Sequence, residues 1–319
     1  MRIAGIVINY RTPDLTIQAV NALREEMRTV APFCIYLVDC ASGDDSVPLF
    51  KQAAQRDGWQ DEVVLIEAPR NGGFGYGINQ AVSRALALTN PPSYFYILNS
   101  DAFADPGSLA RLVAFLDGHP ERGLAGSHIR GTDGKSQAAA FRFPSLFSEL
   151  ESAARFGLLT RLLRKYVVSL PVPQTDCEVD WISGTSMLVR RSTFEQAGLF
   201  DENFFLYFEE IDFCRSARKA GIKACFVADA PITHLGGAST GMMDTTRRMP
   251  AYWFDSRYRY FRKHHGVAYA TGCDFARVLG TIIWYAKELA LGRPRTGRPH
   301  LLRDLLSASW KNLRKTQMG

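Results

Sequence analysis

The first 120 residues alternate between short apolar runs and longer segments in which apolar residues recur every three or four positions. The apolar runs predict strands at 3–9, 35–39, 63–67 and 94–98. The helical spacing predicts helices at 15–27, 46–56, 77–88 and about 106–116. This alternation indicates a mainly parallel sheet with helices on both faces, whose ligands bind at the carboxyl ends of the strands.

The second half of the chain has a less regular pattern. It predicts a helical stretch at 146–166, a strand pair at 177–189, a helix ending near 220, a strand at 224–227 and a flexible loop at 235–244. Residues 252–315 are predicted to be largely helical, with a break at 292–299 where glycine, proline and arginine cluster. We therefore expect an α/β fold with a C-terminal helical extension.

The composition is that of an ordinary globular protein, with 46% hydrophobic and 22% charged residues over 319 positions. Because no stretch of about 18 uncharged apolar residues occurs, we expect no membrane-spanning helix. The amino-terminal sequence lacks the layout of a cleavable signal peptide. The six cysteines are scattered without a CxxC pair, which favours reduced thiols in a cytoplasmic protein over disulfides or a zinc site.

Basic residues greatly outnumber acidic ones from Arg247 onward, although the whole chain carries a net charge of only +6. Charge alone leaves nucleic acid, anionic lipid and a phosphorylated substrate equally open as partners. Apolar residues alternate with these basic residues at helical spacing; they are Trp284, Tyr285, Leu289, Leu291, Leu301, Leu302, Leu305, Leu306 and Trp310. The pattern suits either an interfacial helix pair within 271–319 on anionic lipid or a packed helical subdomain with a solvated basic face.

Polar residues that follow predicted strands are the first candidates for chemistry. Asp39 ends the second strand, either as a turn-capping carboxylate or as a hydrogen-bond acceptor for a ligand. The segment 70–79 carries four glycines between a strand and a helix, which suits either an anion held by backbone amides or a structural turn. In Asn99-Ser100-Asp101, Asp101 follows a further strand at the same expected edge. Mg²⁺ and Mn²⁺ prefer such oxygen ligands.

The acids Glu209 and Glu210 follow five residues of which four are aromatic. Projected as a helix, Glu210 shares an apolar stripe with Cys214, whereas Asp212 lies on a solvated arc with Arg215. A carboxylate on the apolar side is costly to bury without a partner or a task. The first helical turn should keep Glu210 ionised and basic, and an acid that merely caps the helix is the alternative.

His234 follows the strand predicted at 224–227 and precedes the glycine-rich loop. A lone histidine is more often structural than a metal ligand, but its exit near the same sheet edge makes the two interpretations equal alternatives. The residue types at this edge are therefore compatible with a cation site.

Together these motifs resemble glycosyltransferase family 2, and within it the rhamnosyltransferase-like branch. The resemblance runs from Ile6 to about Ser239 and is carried by INYRTPD, VDCASGDDS, RNGGFGYGIN, YILNSDA, DWISGTSMLVRRSTFEQAGLFDENFFLYFEEIDFCRSARKAG and THLGGAST. The family implies a Rossmann-like GT-A fold, a divalent cation (Mg²⁺ or Mn²⁺) and an inverting single displacement. It also implies a transferase domain at 1–245, with a nucleotide-sugar-binding half at 1–130 and an acceptor half at 131–245, before a basic helical region at 246–319.

The resemblance assigns the donor and metal sites residue by residue. Asp39 takes the position of the acid that reads the pyrimidine base. Asn99 replaces the first acid of the family's DxD motif, so Asp101 would carry most of the metal binding, with His234 near the metal and diphosphate. The donor-binding positions implied beside Asp39 are Asn9, Arg70, Asn71, Gly72, Asn79, Asn99 and Ser100.

The resemblance also assigns the base and the acceptor wall. The family's acidic pair before the helix is commonly Glu-Asp, and here it is Glu209-Glu210. Glu210 takes the general-base position, and Glu209 remains the other candidate. Trp181 and Gly184, in DWISG, would help to form the wall around the acceptor and the donor sugar.

The branch resemblance favours transfer of L-rhamnose from dTDP-rhamnose to a saccharide or polyprenyl-diphosphate-linked acceptor in cell-surface polysaccharide synthesis. The expected location is the cytoplasm, with peripheral contact to the inner face of the cell membrane as a variant. A UDP- or GDP-linked hexose is the alternative donor, and a non-catalytic nucleotide- or carbohydrate-binding module is a more distant alternative. Nucleic acid is not an expected partner, because Asp39, Asp101, Glu209 and Glu210 would repel phosphate without a metal.

Overall fold

The computed structural model describes residues 3–30, 32–236, 244–294 and 297–317. The strands are β1 (Ile3–Asn9), β2 (Phe33–Asp39), β3 (Val63–Glu67), β4 (Tyr94–Asn99), β5 (Ala102–Ala104), β6 (Arg122–Arg130), β7 (Ala140–Phe141), β8 (Cys177–Val179), β9 (Trp181–Ile182), β10 (Ser186–Arg190) and β11 (Lys223–His234). The helices are α1 (Pro13–Arg28), α2 (Ser46–Arg56), α3 (Phe74–Leu86), α4 (Ser108–Gly118), α5 (Leu146–Ala154), α6 (Gly157–Leu162), α7 (Arg191–Ala197), α8 (Glu209–Lys219), α9 (Ala251–His265), α10 (Val267–Ala290) and α11 (Leu301–Gln317). Each predicted strand and helix therefore has a counterpart.

The main sheet contains nine strands in the order β3-β2-β1-β4-β10-β6-β11-β5, and β8 pairs with β11 beside this path. Strands β1 to β4 run parallel, as do β6 and β11, whereas β10 runs antiparallel between β4 and β6. The registers Asn9↔Asp39 and Ile8↔Asn99 bring the carboxyl ends of β1, β2 and β4 to one edge. The predicted α/β fold with a mainly parallel sheet is confirmed.

The core of this sheet is built around β1, whose seven residues are all buried. A continuous apolar run is typical of a strand covered on both faces. Gly5 accommodates α1, because a Cβ there would lie 2.9 Å from Met27 Sδ. On the other face, a Cβ at Gly77 of α3 would lie 3.0 Å from Ile8. Since Gly5 and Ile8 are three residues apart on a strand, the two helices cover opposite faces.

Three of the differences from the sequence-based expectation concern elements of the main sheet or a helix that covers it. Helix α3 begins at Phe74 rather than at Gly77, because the glycines of the preceding loop already belong to its first turn. Strand β6 lies inside the sheet but was not predicted, since its sequence RGLAGSHIR has no apolar run. Strand β11 continues past Val227 to His234, and a register shift between Val227 and Pro231 explains why the strand pattern is interrupted there.

The chain divides into two compact units. The first comprises the described parts of Met1–Phe141, Leu170–Phe205 and Glu209–Gly241, and it contains the sheet. The second comprises the described parts of Arg142–Ser169, Leu206–Phe208 and Met242–Gly319. The boundary expected at residue 245 therefore differs from this division, because helices α5 and α6 group with the C-terminal helices. Residues 237–243 of the loop predicted at 235–244 lie outside the described residues.

The second unit has a charged group at its centre rather than a purely apolar core. Arg257 is fully buried, and its guanidinium donates to Glu149 Oε2 at 2.6 Å and to the Cys273 carbonyl at 2.7 Å. Asp274 forms a second ion pair with Arg257, and Arg277 donates to Glu149 at 3.0 Å. Burial opposes the ionisation of Glu149, but the charges of Arg257 and Arg277 lower its pKa overall. Paired buried charges of this kind tie α5, α9 and α10 together.

All six cysteines are free thiols. Within the ranges described above, no helix combines the length and the apolar character needed to cross a bilayer.

Candidate active site

The carboxyl ends of β1 and β2 are joined by a buried hydrogen-bond network around Asp39. Its Oδ1 accepts from Asn9 Nδ2 at 2.7 Å and from Ser42 Oγ at 2.6 Å, and its Oδ2 accepts from the Ser42 amide at 3.0 Å. Thr16 Oγ1 donates to Asn9 Oδ1 at 2.8 Å, which fixes the orientation of the Asn9 amide. Asp39 therefore caps this turn, and its recognition of the pyrimidine base of a donor stays a prediction.

Arg11 is a residue at this edge that sequence reasoning missed. Its amide donates to Ser42 Oγ at 3.1 Å, and its Nε donates to the Ser42 carbonyl at 2.9 Å. Arg11 and Ala41 both have positive φ, 58° and 49°, so the loops after β1 and β2 are strained at the same place. Strained non-glycine residues concentrate at functional sites. The available signal was a basic residue two positions after a predicted strand.

The end of β4 connects to the same edge through two contacts. Thr12 Oγ1 lies 3.4 Å from the buried Ser100 Oγ, and the Thr12 amide donates to Asn9 Oδ1 at 3.3 Å. The Asn99 amide donates to the Thr185 carbonyl at 3.0 Å, which brings the segment after Gly184 to this strand end. The predicted residues Asn9, Asn99 and Ser100 thus belong to one contiguous region.

Asp101 and His234 are brought together although 133 positions separate them. His234 Nε2 lies 3.2 Å from Asp101 Oδ1, and the Leu235 amide donates to the Asp101 carbonyl at 3.0 Å. The pairing of β11 with β5, in the register His234↔Ala102, sets this arrangement. A carboxylate beside an imidazole is a donor set that Mn²⁺ or Mg²⁺ accepts. Among the described residues no group of three or more such side chains occurs, so a cation here would need further ligands from a substrate.

The glycine-rich loop is bonded to the segment that precedes the acidic pair. Gly73 has φ +92°, and a Cβ on it would lie 1.6 Å from the Phe205 carbonyl oxygen. The Phe74 amide donates to that same oxygen at 3.2 Å, and the Gly73 amide donates to Asn71 Oδ1 at 3.1 Å. At Gly72 a side chain would overlap Tyr76 at 2.4 Å. A side chain would clash at both positions, so these two glycines have a structural role, and anion binding by the amides of the loop stays a prediction.

Arg70 and Asn79 lie at the two ends of this loop and contact the loop before α8. Arg70 stacks on Tyr76 with 4.3 Å between its guanidinium carbon and the ring centre, and it lies 3.7 Å from Glu202. The Asn79 amide donates to the Phe200 carbonyl at 2.9 Å and accepts from the Phe200 amide at 3.1 Å. Asn79 therefore positions the segment at 200, and donor binding by Arg70 and Asn79 stays a prediction.

Glu209 and Glu210 are the first two residues of α8, and each has an Oε2 atom that is buried and that no donor among the described residues reaches. Glu209 Cβ lies 3.6 Å from the position of a Cβ on Gly75, and Glu210 Cβ lies 3.8 Å from that of a Cβ on Gly184. The side chain of each acid thus begins beside a glycine. A buried carboxyl oxygen without a donor is costly. Backbone amides of the first helical turn also interact with both carboxyls, so a catalytic role for the pair stays a prediction.

Burial changes the protonation of this pair. Desolvation raises the pKa of Glu210 to about 7. Desolvation and then the Glu210 charge raise the pKa of Glu209 well above its usual value. The sequence predicted that the helix N-terminus keeps Glu210 ionised and basic, and burial opposes this effect by raising the pKa of Glu210. Asp212, expected on the solvated arc, is also buried.

Trp181 and Gly184 differ in what they contact. Trp181 is buried and stacks on Phe141, with ring centres 4.0 Å apart and planes 11° apart. A Cβ on Gly184 would lie 2.9 Å from the Phe74 ring and near Glu210. Gly184 therefore adjoins the acidic pair, and sequence reasoning missed Phe74 as its neighbour.

The family model described as Glycosyl transferase family 2 matches residues 6–172. The chain belongs to glycosyl transferase family 2. It is a glycosyltransferase with a GT-A fold, and the predicted resemblance to this family is confirmed.

Individual relatives and a solved structure agree with this assignment. The N-acetylglucosaminyl-diphospho-decaprenol L-rhamnosyltransferase of Mycobacterium tuberculosis is 27% identical over 230 residues, which cover 67% of this chain and 70% of that protein. The low-salt glycan biosynthesis hexosyltransferase Agl10 of Haloferax volcanii is 46% identical over 228 residues, 70% of this chain and 65% of that protein. The mannosyltransferase PcManGT from Pyrobaculum calidifontis, solved with GDP-Man and Mn²⁺, aligns with a TM-score of 0.61 at 15% identity, covering 98% of this chain and 87% of its own.

Proposed function

We propose that this glycosyltransferase moves L-rhamnose from dTDP-rhamnose to a hydroxyl of a saccharide or polyprenyl-diphosphate-linked saccharide in cell-surface polysaccharide synthesis. The similarity to the mycobacterial L-rhamnosyltransferase, whose name specifies a decaprenol-linked acceptor, supports this donor and acceptor. A UDP- or GDP-linked hexose is the second candidate donor, favoured by the hexosyltransferase relative and by the mannosyltransferase bound to GDP-Man.

The observation that carries the proposal is the acidic pair at the start of α8, in which each side chain has one buried carboxyl oxygen that no donor among the described residues reaches. Glu210 takes the proton of the acceptor hydroxyl as the new glycosidic bond forms, a task that typically contributes about 10²–10⁴-fold. A pKa raised to about 7 by burial suits this task, because such a base is both available and strong near neutral pH. Attack from the face opposite the diphosphate then inverts the anomeric configuration.

Glu209 complements this base by staying neutral. Its pKa is raised by burial and by the neighbouring Glu210 charge, so one proton remains in the pair while Glu210 is ionised. Two adjacent buried carboxylates would otherwise repel each other. In this proposal Glu210 is the catalytic residue and Glu209 is a positioning residue.

The donor site is proposed at the edge formed by β1, β2 and β4. Asp39, held by Asn9 and Ser42, would bind the pyrimidine base of the donor, and the glycine-rich loop before α3 would lie beside the diphosphate. Arg11, together with the sequence-predicted Arg70 and the loop residues Asn71 and Gly72, supplies donors beside it.

The cation part of the site is proposed at Asp101 and His234. Their carboxylate and imidazole atoms lie 3.2 Å apart, a donor set that fits Mg²⁺ or Mn²⁺ when substrate phosphates complete the coordination. A bound cation would supply electrostatic stabilisation of the leaving diphosphate. Support comes from the Mn²⁺ bound in the similar mannosyltransferase structure.

The acceptor side is proposed at Gly184, with Trp181 behind it. Gly184 packs closely against the Phe74 ring and lies near Glu210, so a sugar ring held along this wall would lie beside the acidic pair. A polyprenyl-linked acceptor is held in a lipid surface, so we place the enzyme at the cytoplasmic face of the cell membrane.

A donor panel tests this function. Purified protein is incubated with dTDP-rhamnose, UDP-glucose, UDP-N-acetylglucosamine and GDP-mannose, each with and without Mn²⁺, and the melting temperature and the release of nucleoside diphosphate are measured. Because a ligand of the folded state raises its stability, dTDP-rhamnose with Mn²⁺ should give the largest rise. A larger response to a UDP- or GDP-hexose would replace rhamnose by that sugar. Binding without any transfer to a lipid-linked saccharide would favour the non-catalytic module.

A further inference from the structure

Helix α10 has an apolar stripe on its exposed side. Phe275, Leu279, Ile282 and Leu289 are exposed, with 68% of Phe275 and 78% of Leu289 accessible. Spacings of three, four and seven residues lie on one face of a helix, so the stripe extends for about 21 Å along α10. The opposite side of the same helix, including Trp284, is buried inside the second unit. The packing of this unit thus leaves a long apolar face uncovered.

Helix α11 repeats this arrangement and adds charge. Leu306, Trp310 and Leu313 are exposed along one side. Arg303 and Arg314 are exposed beside them, and Arg314 lies over the Trp310 ring at 5.2 Å. In a helical projection both arginines lie within a quarter turn of Leu306 and Trp310. Such a helix offers apolar and cationic groups to the same partner.

Helix α6 contributes a third apolar and basic element within the same unit. Leu158 and Leu162 are highly exposed, and Arg161 between them is exposed as well. The preceding Arg155 stacks on Trp284 of α10 with 3.9 Å between its guanidinium carbon and the ring centre, which places α6 beside the second half of α10. The exposed residues of α6, α10 and α11 named here are called the apolar-basic surface below.

The C-terminal segment that contains α10 and α11 is strongly basic. Residues 246–319 contain 15 Lys and Arg against 4 Asp and Glu, a net charge of +11, whereas the rest of the chain has a net charge of −5. A second copy of the chain is a poor partner, because two such basic regions repel each other. Nucleic acid is a poor partner as well, because it offers no apolar surface to an exposed stripe of this length. An anionic bilayer matches both properties, since acyl chains take the apolar side chains and headgroups take the cations.

We propose that the apolar-basic surface docks on an anionic lipid bilayer, with α10 lying in the plane of the interface. The purpose of this contact rests on the proposed function, because it brings a lipid-linked acceptor to the enzyme, but the contact itself needs no substrate. The residues differ from those that sequence reasoning suggested. Trp284 and Leu305 of the predicted interfacial set are buried, whereas Phe275, Leu279 and Ile282 were not in that set.

A flotation assay with the full chain tests the proposal. The vesicles contain phosphatidylcholine alone or phosphatidylcholine with about 30% phosphatidylglycerol, each at low and high salt. The stripe variant is Phe275→Gln/Ile282→Gln/Leu289→Gln, whose side chains are exposed and whose fold is checked by its melting temperature. The matched control is Leu88→Gln/Leu199→Gln, two exposed leucines of the first unit with 42% and 41% accessibility.

Wild-type protein and the control variant should float with the anionic vesicles and bind phosphatidylcholine alone far more weakly, and high salt should reduce binding. The stripe variant should bind at least about tenfold more weakly. Absent binding by wild type, or equal binding by the stripe variant, would overturn the proposal. A concentration-dependent dimer that only the stripe variant loses would identify a second copy as the occupant instead. A failure of lipid docking can be distinguished from a failure of the proposed function. Transfer to a soluble acceptor does not need the apolar-basic surface, and flotation does not need a sugar donor.

Discussion

Substitution of Gly73 by alanine tests whether the glycine-rich loop and the segment before the acidic pair act as one unit. Gly73 has φ 92° and ψ −176°, a conformation that costs a side-chain-bearing residue about 1–3 kcal/mol. In addition, the new Cβ would lie 1.6 Å from the Phe205 carbonyl oxygen, so the backbone at 205 must move. Forced repacking adds about 1–3 kcal/mol, and the hydrogen bond from the Phe74 amide is weakened.

The chain offers a matched control for the backbone term. Gly198 has φ 84° and ψ −175°, nearly the same conformation, yet nothing lies within 4 Å of a Cβ placed on it. Gly198→Ala should therefore lower the free energy of unfolding by about 1–3 kcal/mol and leave the transfer rate almost unchanged. Gly73→Ala should cost about 2–6 kcal/mol in total.

The transfer rate separates the two variants more sharply than stability does. Because Phe205 lies five residues before the proposed base Glu210, its displacement misaligns that base, and a shift near 1 Å costs on the order of 10²-fold in rate. Urea unfolding and initial transfer rates measure both quantities. Equal losses of stability and rate in Gly73→Ala and Gly198→Ala would refute the reasoning, since the clash with residue 205 would then have no effect.

Three further outcomes are expected. The transfer rate should fall as the pH drops below about 7, because Glu210 must be ionised. Glu209→Gln should show the same fall in rate at acidic pH. If the rate of Glu209→Gln no longer falls at acidic pH, Glu209 is the base instead. Glu149→Ala should lower the free energy of unfolding by about 3–5 kcal/mol, because Arg257 and Arg277 lose the buried carboxylate that they share and Asp274 alone pairs with Arg257. Since the folded-state pKa of Glu149 is lowered, wild type should lose this stability as the pH falls below the usual glutamate pKa, whereas Glu149→Ala should not. Urea unfolding above and below that pKa measures both proteins, and an equal change in the free energy of unfolding in the two would contradict this. His234→Ala should weaken the rise in melting temperature that Mn²⁺ gives with donor nucleotide, and an unchanged Mn²⁺ response would remove His234 from the site.

The strand ends could be predicted because continuous apolar runs mark β1, β2 and β4, and parallel strands align their carboxyl ends at one edge. Asp39, Asn99 and Asp101 were located by this logic alone. The pairing of Asp101 with His234 depends on β11 extending beyond Val227, which a local pattern does not indicate.

Burial at single positions could not be predicted from helical periodicity. Asp212 was expected on a solvated arc but is buried, and Glu210 was expected to be ionised and basic but has a raised pKa. In the C-terminal helices, Trp284 is covered by Arg155 while Phe275 is exposed. Each case depends on which neighbour covers the residue, and that neighbour comes from a distant part of the chain.

The central claim is that Glu210 is the base of a transfer reaction at this edge. Glu210→Gln preserves the shape of the side chain and removes its ability to take a proton. Donor affinity by calorimetry and the single-turnover transfer rate are compared with those of wild type and of Glu195→Gln, a half-exposed acid of α7. We predict unchanged donor affinity and a rate lower by about 10²–10⁴-fold in Glu210→Gln only. A near-wild-type rate in Glu210→Gln would contradict the account.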